Sequence, residues 1–77
     1  TAARAVRRKV EELLNSHGFI YRKVYITAHI DGAFCISISE VELVFDDGTD
    51  DSYIADAASL VQAAVGDDIK VRYTKER

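Results

Sequence analysis

The chain has 77 residues, a formal net charge of −3 and 48% apolar residues. That leaves room for a single domain, residues 1–77, with one modest core that buries roughly 60% of the surface the unfolded chain exposes. It excludes a disordered polar chain, and no apolar run approaches the roughly 20 residues of a membrane span.

Charge is segregated along the sequence. Residues 1–23 carry +4, residues 24–68 carry −10 with no lysine or arginine, and residues 69–77 carry +3. Such asymmetry suits a basic binding face, internal ion pairing or a self-complementary surface. The basic start at Arg4, Arg7 and Arg8 lacks the apolar segment of a secretory signal. The expectation is a soluble protein, compatible with the cytoplasm and without a membrane partner. The single Cys35 excludes an internal disulfide.

Residues 2–17 predict an amphipathic helix, with Ala3, Val6, Val10, Leu13 and Leu14 on one stripe. Thr1 is positioned to cap it. Gly18, after His17, suits the left-handed position that ends a helix. Its cations precede its acids, against the preference of the helix dipole, so an acidic partner or a solvated charged face is expected there.

Residues 24–45 predict a β-hairpin. Val24, Ile26 and Ala28 alternate with Tyr25, Thr27 and His29, and Phe34, Ile36 and Ile38 alternate with Cys35, Ser37 and Ser39. A three-residue turn at 30–32 keeps apolar residues together, with Ala28 by Phe34, Ile26 by Ile36 and Val24 by Ile38. The apolar phase then slips from even positions to Val41, Leu43 and Phe45, which predicts a β-bulge near Ser39-Glu40.

The acidic stretch FDDGTDDS, residues 45–52, departs from a calcium-loop pattern, because Gly48 comes too early and no glutamate closes the loop. It predicts a turn at Asp47-Gly48 and a helix cap at Thr49 or Asp50. Residues 51–65 predict a second helix with Ile54, Ala57, Ala58, Val61 and Val65 inward, ended by Gly66. Residues 69–73 predict a third strand with Ile69, Val71 and Tyr73 inward.

The fold class is therefore α+β: a two-layer α-β-β-α-β sandwich with a three-stranded, mainly antiparallel sheet and two helices on one face. Strand order 2-1-3, with the third strand antiparallel to a central first strand, is favoured. Order 1-2-3, with the third strand parallel to the second, is the alternative. The expected core is Val10, Leu13, Leu14, Val24, Ile26, Ala28, Phe34, Ile36, Ile38, Val41, Leu43, Ile54, Ala58, Val61 and Val71.

The uncovered sheet face collects Tyr25, Thr27, His29, Ser37, Lys70 and Arg72, the candidate binding face. Stacking groups, hydroxyls and cations there suit single-stranded nucleic acid. The order of elements is similar to that of a type II KH domain, which implies such binding. The G-x-x-G of that family is missing, and the acidic 45–52 segment stands where it would lie and would repel phosphate. His29 and Cys35 fall diagonally across the hairpin, a spacing that admits a nucleophile pair, with no orienting carboxylate or oxyanion donor evident. Catalytic, cofactor-binding and metal-ligating residues are therefore expected to be none.

Proline, tryptophan and methionine are absent, against a typical proline usage of about 5%. The leading expectation is a non-enzymatic α+β module, of the kind an engineered scaffold without a natural ligand would be. A nucleic-acid module on the open sheet and first helix is the alternative, with weak or absent binding expected. A protein-interaction or inhibitor module presenting the acidic 46–56 region is a third. Self-association through the open sheet face is the expected partner mode.

Overall fold

The computed structural model describes residues 2–32 and 35–77. Its elements are α1 (Ala2–Ser16), β1 (Lys23–Asp31), β2 (Cys35–Asp46), α2 (Asp51–Val65) and β3 (Lys70–Glu76). The two helices and three strands form the expected small α+β fold. The sheet is mixed: β1 and β2 pair antiparallel, β2 and β3 pair parallel, and the order is β1-β2-β3.

The favoured order 2-1-3 is corrected. β2 is central because its Val41–Phe45 run is buried on both sides of the sheet. Val41, Leu43 and Phe45 are fully buried toward the helices, while Val44 alternates onto the opposite face, between Lys23 and Thr74, and is only 2% exposed. A strand apolar on both faces belongs in the interior of a sheet. The hairpin fills one side of β2, and the crossover through α2 is long enough to bring a parallel β3 to the other.

Each helix ends by a device visible in the chain. Gly18 has φ +76°. The Phe19 amide donates to the Leu14 carbonyl at 2.9 Å and the Gly18 amide to Asn15 at 3.1 Å, a pair of bonds that closes a helix C-terminus. Phe19 is thereby turned inward, its ring edge-on to Tyr53 at 5.1 Å. Asp50 takes the expected N-cap position of α2 in extended backbone, its carbonyl accepting the Ile54 amide at 3.1 Å, but its side chain makes no capping hydrogen bond. At the far end, Gln62 Nε2 donates to the carbonyls of Gly66 and Ile69, each at 2.8 Å, and fixes the turn into β3. The proposed Thr1 cap lies outside the described residues.

The predicted bulge is present. The register runs Lys23↔Val44 to Thr27↔Glu40, then Ala28↔Ile38 to Asp31↔Cys35, so Ser39 is the extra residue. Its hydroxyl donates to the Thr27 carbonyl at 3.3 Å. The expected turn at 30–32 is corrected, because the strands run on to Asp31 and resume at Cys35. Val24 thus pairs with Leu43, Ile26 with Val41 and Ala28 with Ile38. The turn moves by two residues, an even shift that keeps every side chain on its face while lengthening the ladder. Phe34, expected in the core, lies outside the described residues.

One cluster forms the core: Val10 and Leu14 from α1, Val24 from β1, Val41, Leu43 and Phe45 from β2, and Ile54, Ala57 and Val61 from α2. Phe45, Val44 and Ala57 join the expected set. Ala28 and Ile36 leave it, both being exposed, and Leu13 and Ile38 are half-buried outside the cluster, while Ile26, Ala58 and Val71 pack against it half-buried. Tyr73 lies opposite Leu43 on the core side, as expected, but on the edge strand it stays 52% exposed. Lengths explain the loss of Ala28 and Ile36. Each helix has 15 residues, about 22 Å at roughly 1.5 Å per residue. β2 has 12 residues, about 40 Å at roughly 3.3 Å each, nearly the whole 43 Å long axis. The helix layer covers the sheet as far as the bulge, and the ribbon beyond it projects.

Candidate functional site

The six candidate residues do share one face. Tyr25, Thr27 and His29 alternate along β1, Ser37 lies opposite His29, and Lys70 and Arg72 flank β2 from the other side. The rows across the sheet are Tyr25–Glu42–Arg72 and Thr27–Glu40–Lys70. The bulge therefore brings Glu40 and Glu42 onto this face, between the cations and the aromatic ring. Arg72 reaches Glu40 at 3.6 Å, and the Thr74 hydroxyl donates to Glu42 at 2.7 Å. With Arg22, Lys23, Lys70 and Arg72 set among Asp31, Glu40, Glu42, Asp46 and Glu76, the face carries both signs of charge in near balance. It presents no continuous track for phosphates, which a polyanion site needs.

His29 and Cys35 remain diagonal neighbours, since Cys35 pairs with Asp31 and His29 with Ser37. Both are exposed, and no hydrogen bond joins them among the described residues. Exposure of that kind leaves water free at the thiol and gives nothing to orient the imidazole. Among the described residues no group of three or more His, Cys, Asp or Glu side chains is placed to hold a metal ion.

At the opposite end of the sheet the acidic turn meets cations from distant sequence. Arg22, just ahead of β1, donates to Asp46 Oδ1 at 2.7 Å and to the Arg77 carbonyl at 2.7 Å. Asp46 Oδ2 accepts the Gly48 amide at 2.9 Å. The Gly48 bond, then the Arg22 bond, hold the Asp46 carboxyl below its ordinary range. Lys75 pairs with Asp51 at 2.8 Å and Arg77 with Asp47 at 3.8 Å. Arg22, Lys75 and Arg77 thus partner the acidic 46–51 turn internally. A groove of about 650 Å³ lies here, with Ile20, Tyr21 and Tyr53 along one wall. Some of its polar groups are already engaged, Arg22 with Asp46 and the Tyr53 hydroxyl with the Ile20 amide at 2.7 Å, while the Thr49 and Asp50 side chains line it without a hydrogen bond among the described residues.

Apolar side chains stay exposed at both ends of the sheet: Ile20 is 81% exposed beside this groove, and a cross-strand set lies beyond the bulge. Ala28, Ile30, Ile36 and Ile38 occupy the same side of the ribbon as Val24 and Leu43. No helix reaches them, so Ile30 is 79% exposed and Ile36 49% exposed. Alongside runs the outer edge of β1. Residues 24–30, VYITAHI, hold no charged side chain, whereas β3, the other edge, has Lys70, Arg72, Lys75 and Glu76 among its seven residues. Charges on an edge strand discourage further strand pairing. β3 has them, and the middle of β1 does not. Sequence reasoning missed this surface because it followed face parity alone. The ratio of strand to helix length carried the missing signal.

Compared with protein-family models, with curated proteins and with solved structures, the chain matches none.

Proposed function

We propose that the chain is a non-enzymatic protein-binding module that receives an extended segment along β1 and packs it against the uncovered apolar side of the hairpin. The carrying observation is the pair Ile30 and Ile36, opposite each other, exposed, and continuous with the core face. Strand addition draws affinity from main-chain hydrogen bonds and specificity from alternate side chains. The β1 edge offers the first and the ribbon the second. The polar sheet face mixes cations with acids, Arg72 with Glu40 and Arg22 with Asp46 among them, and the acidic 46–56 region meets Arg22, Lys75 and Arg77 at close range. Both are weaker docking surfaces than the ribbon.

Selection of binders from a random displayed-peptide library tests this reading. Selected peptides should alternate apolar and polar residues and should bind the Ile30→Lys and Ile36→Lys proteins markedly more weakly. Selection that yields no binder, or only binders indifferent to both substitutions, would overturn it.

A further inference from the structure

We infer that the segment received along β1 is β1 of a second copy of this chain, paired antiparallel about a two-fold axis through Thr27. This rests on the reading of the β1 edge as the docking surface and names its occupant.

The strand is self-complementary in one register. β1 spans nine residues, Lys23 to Asp31, and its midpoint is Thr27. Antiparallel pairing about that midpoint matches all nine residues. It sets Lys23 against Asp31 of the second copy at both ends, Val24 against Ile30, Tyr25 against His29 and Ile26 against Ala28. Apolar residues meet apolar ones on the helix side, and polar residues meet polar ones on the other. A slip by one residue would cross the faces. A slip by two would shorten the ladder and separate the charges. Neither Lys23 nor Asp31 makes an ion pair among the described residues, and opposite charges directly across a ladder are favourable.

The arrangement also covers what the monomer leaves bare. Ile30 of the second copy would lie beside Val24, at a groove of about 290 Å³ between α1 and the β1 edge, lined by Ala3, Arg4, Arg7, Val24, Tyr25 and Ile26. The helix layer of each copy lies where the other copy's ribbon is uncovered. The result is a continuous six-stranded sheet with an isologous interface, in which every contact occurs twice. One strand pair with a few apolar contacts falls at the small end of interfaces, below about 1,200 Å², so the association is reversible and micromolar.

The two-fold makes a geometric test available. Thr27 would face Thr27 of the second copy with Cα atoms about 4.5–5.5 Å apart, within the roughly 4.4–6.8 Å a disulfide spans. The protein carrying Thr27→Cys with Cys35→Ser is oxidised and the covalent dimer followed on a non-reducing gel. Lys70→Cys with Cys35→Ser, on the β3 edge, serves as the control. Thr27→Cys should cross-link about tenfold or more faster than the control, because association holds its thiols together. Equal rates, or faster cross-linking through Tyr25→Cys or His29→Cys, would overturn the pairing about Thr27. If Thr27→Cys fails while library peptides still bind in an Ile30-dependent way, self-pairing is wrong and the docking surface stands. If both fail, both readings fall.

Discussion

Ile30 and Ile36 face each other across the β1–β2 ladder on the side of the sheet that carries the core, yet they stay 79% and 49% exposed. They lie past the bulge at Ser39, beyond the reach of either helix. As a cross-strand pair they add only a little to the hairpin, and their position beside an uncharged strand edge is what the proposed docking rests on.

In the monomer these side chains contribute little to stability. Ile36→Ala, measured by urea unfolding at concentrations where the chain is monomeric, should cost less than about 1 kcal/mol, as exposed substitutions usually do. Leu43→Ala, at a fully buried site, should cost about 2–5 kcal/mol. Comparable losses at the two positions would show that Ile36 is packed.

The bulge is a second point of leverage. Without Ser39, Thr27↔Glu40 and Ala28↔Ile38 become consecutive pairs of a regular ladder, with Ile36, Ile38 and Val41 all on the apolar side. Deletion of Ser39 should therefore leave the fold intact, with stability changed by no more than about 1 kcal/mol. Deletion of Ser37 puts Ile38 out of phase with Ile36 and should disrupt the ribbon. Amide hydrogen exchange of residues 28–31 reads the difference. Equal loss of protection in the two deletions would contradict the register.

How much of this was legible in the sequence depended on which physical rule each residue obeyed. The left-handed turn at Gly18, the start of α2 after Asp50 and the bulge at Ser39 are local features, and local chemistry predicts them. The central place of β2 needs Val44 to be weighed. Read as a plain alternation, VELVF looks one-sided, but its fourth residue makes the strand apolar on both faces. The candidate face has the expected members from β1 and β3. Its charge balance emerges only when the phase slip is carried through to Glu40 and Glu42. The exposed apolar ribbon is hidden for a different reason: parity says which way a side chain points, and only element lengths say whether anything lies above it.

Acid should weaken the closed end of the sheet. The Gly48 amide and Arg22 lower the folded Asp46 pKa below its ordinary value of 3.8. Between the two values the unfolded chain binds more protons, so stability rises with pH. The contribution is fully present above about pH 4 and is lost as pH falls through the folded value. Asp46→Asn should flatten the pH dependence of thermal stability in that acidic window and leave its slope near neutrality unchanged. An unaltered acid limb would contradict the assignment.

The charge balance of the polar sheet face predicts little affinity for nucleic acid. Binding to a mixed-sequence single-stranded oligonucleotide should be weaker than about micromolar near 0.15 M salt. Submicromolar binding that Tyr25→Ala and Arg72→Ala both reduce would make that face, and not the β1 edge, the working surface.

Sedimentation equilibrium on charge-reversed variants tests the self-pairing most directly. The wild type should show reversible monomer–dimer exchange in the micromolar range. Lys23→Asp sets two carboxylates against each other at both ends of the strand pair and should weaken the dimer by about 1–2 kcal/mol, roughly tenfold. Asp31→Lys, which sets two ammonium groups together, should do the same. The double variant, Lys23→Asp with Asp31→Lys, restores opposite charges and should recover most of the lost affinity. A wild type that stays monomeric throughout, or a double variant no stronger than the singles, would contradict the antiparallel pairing of β1 with its own copy.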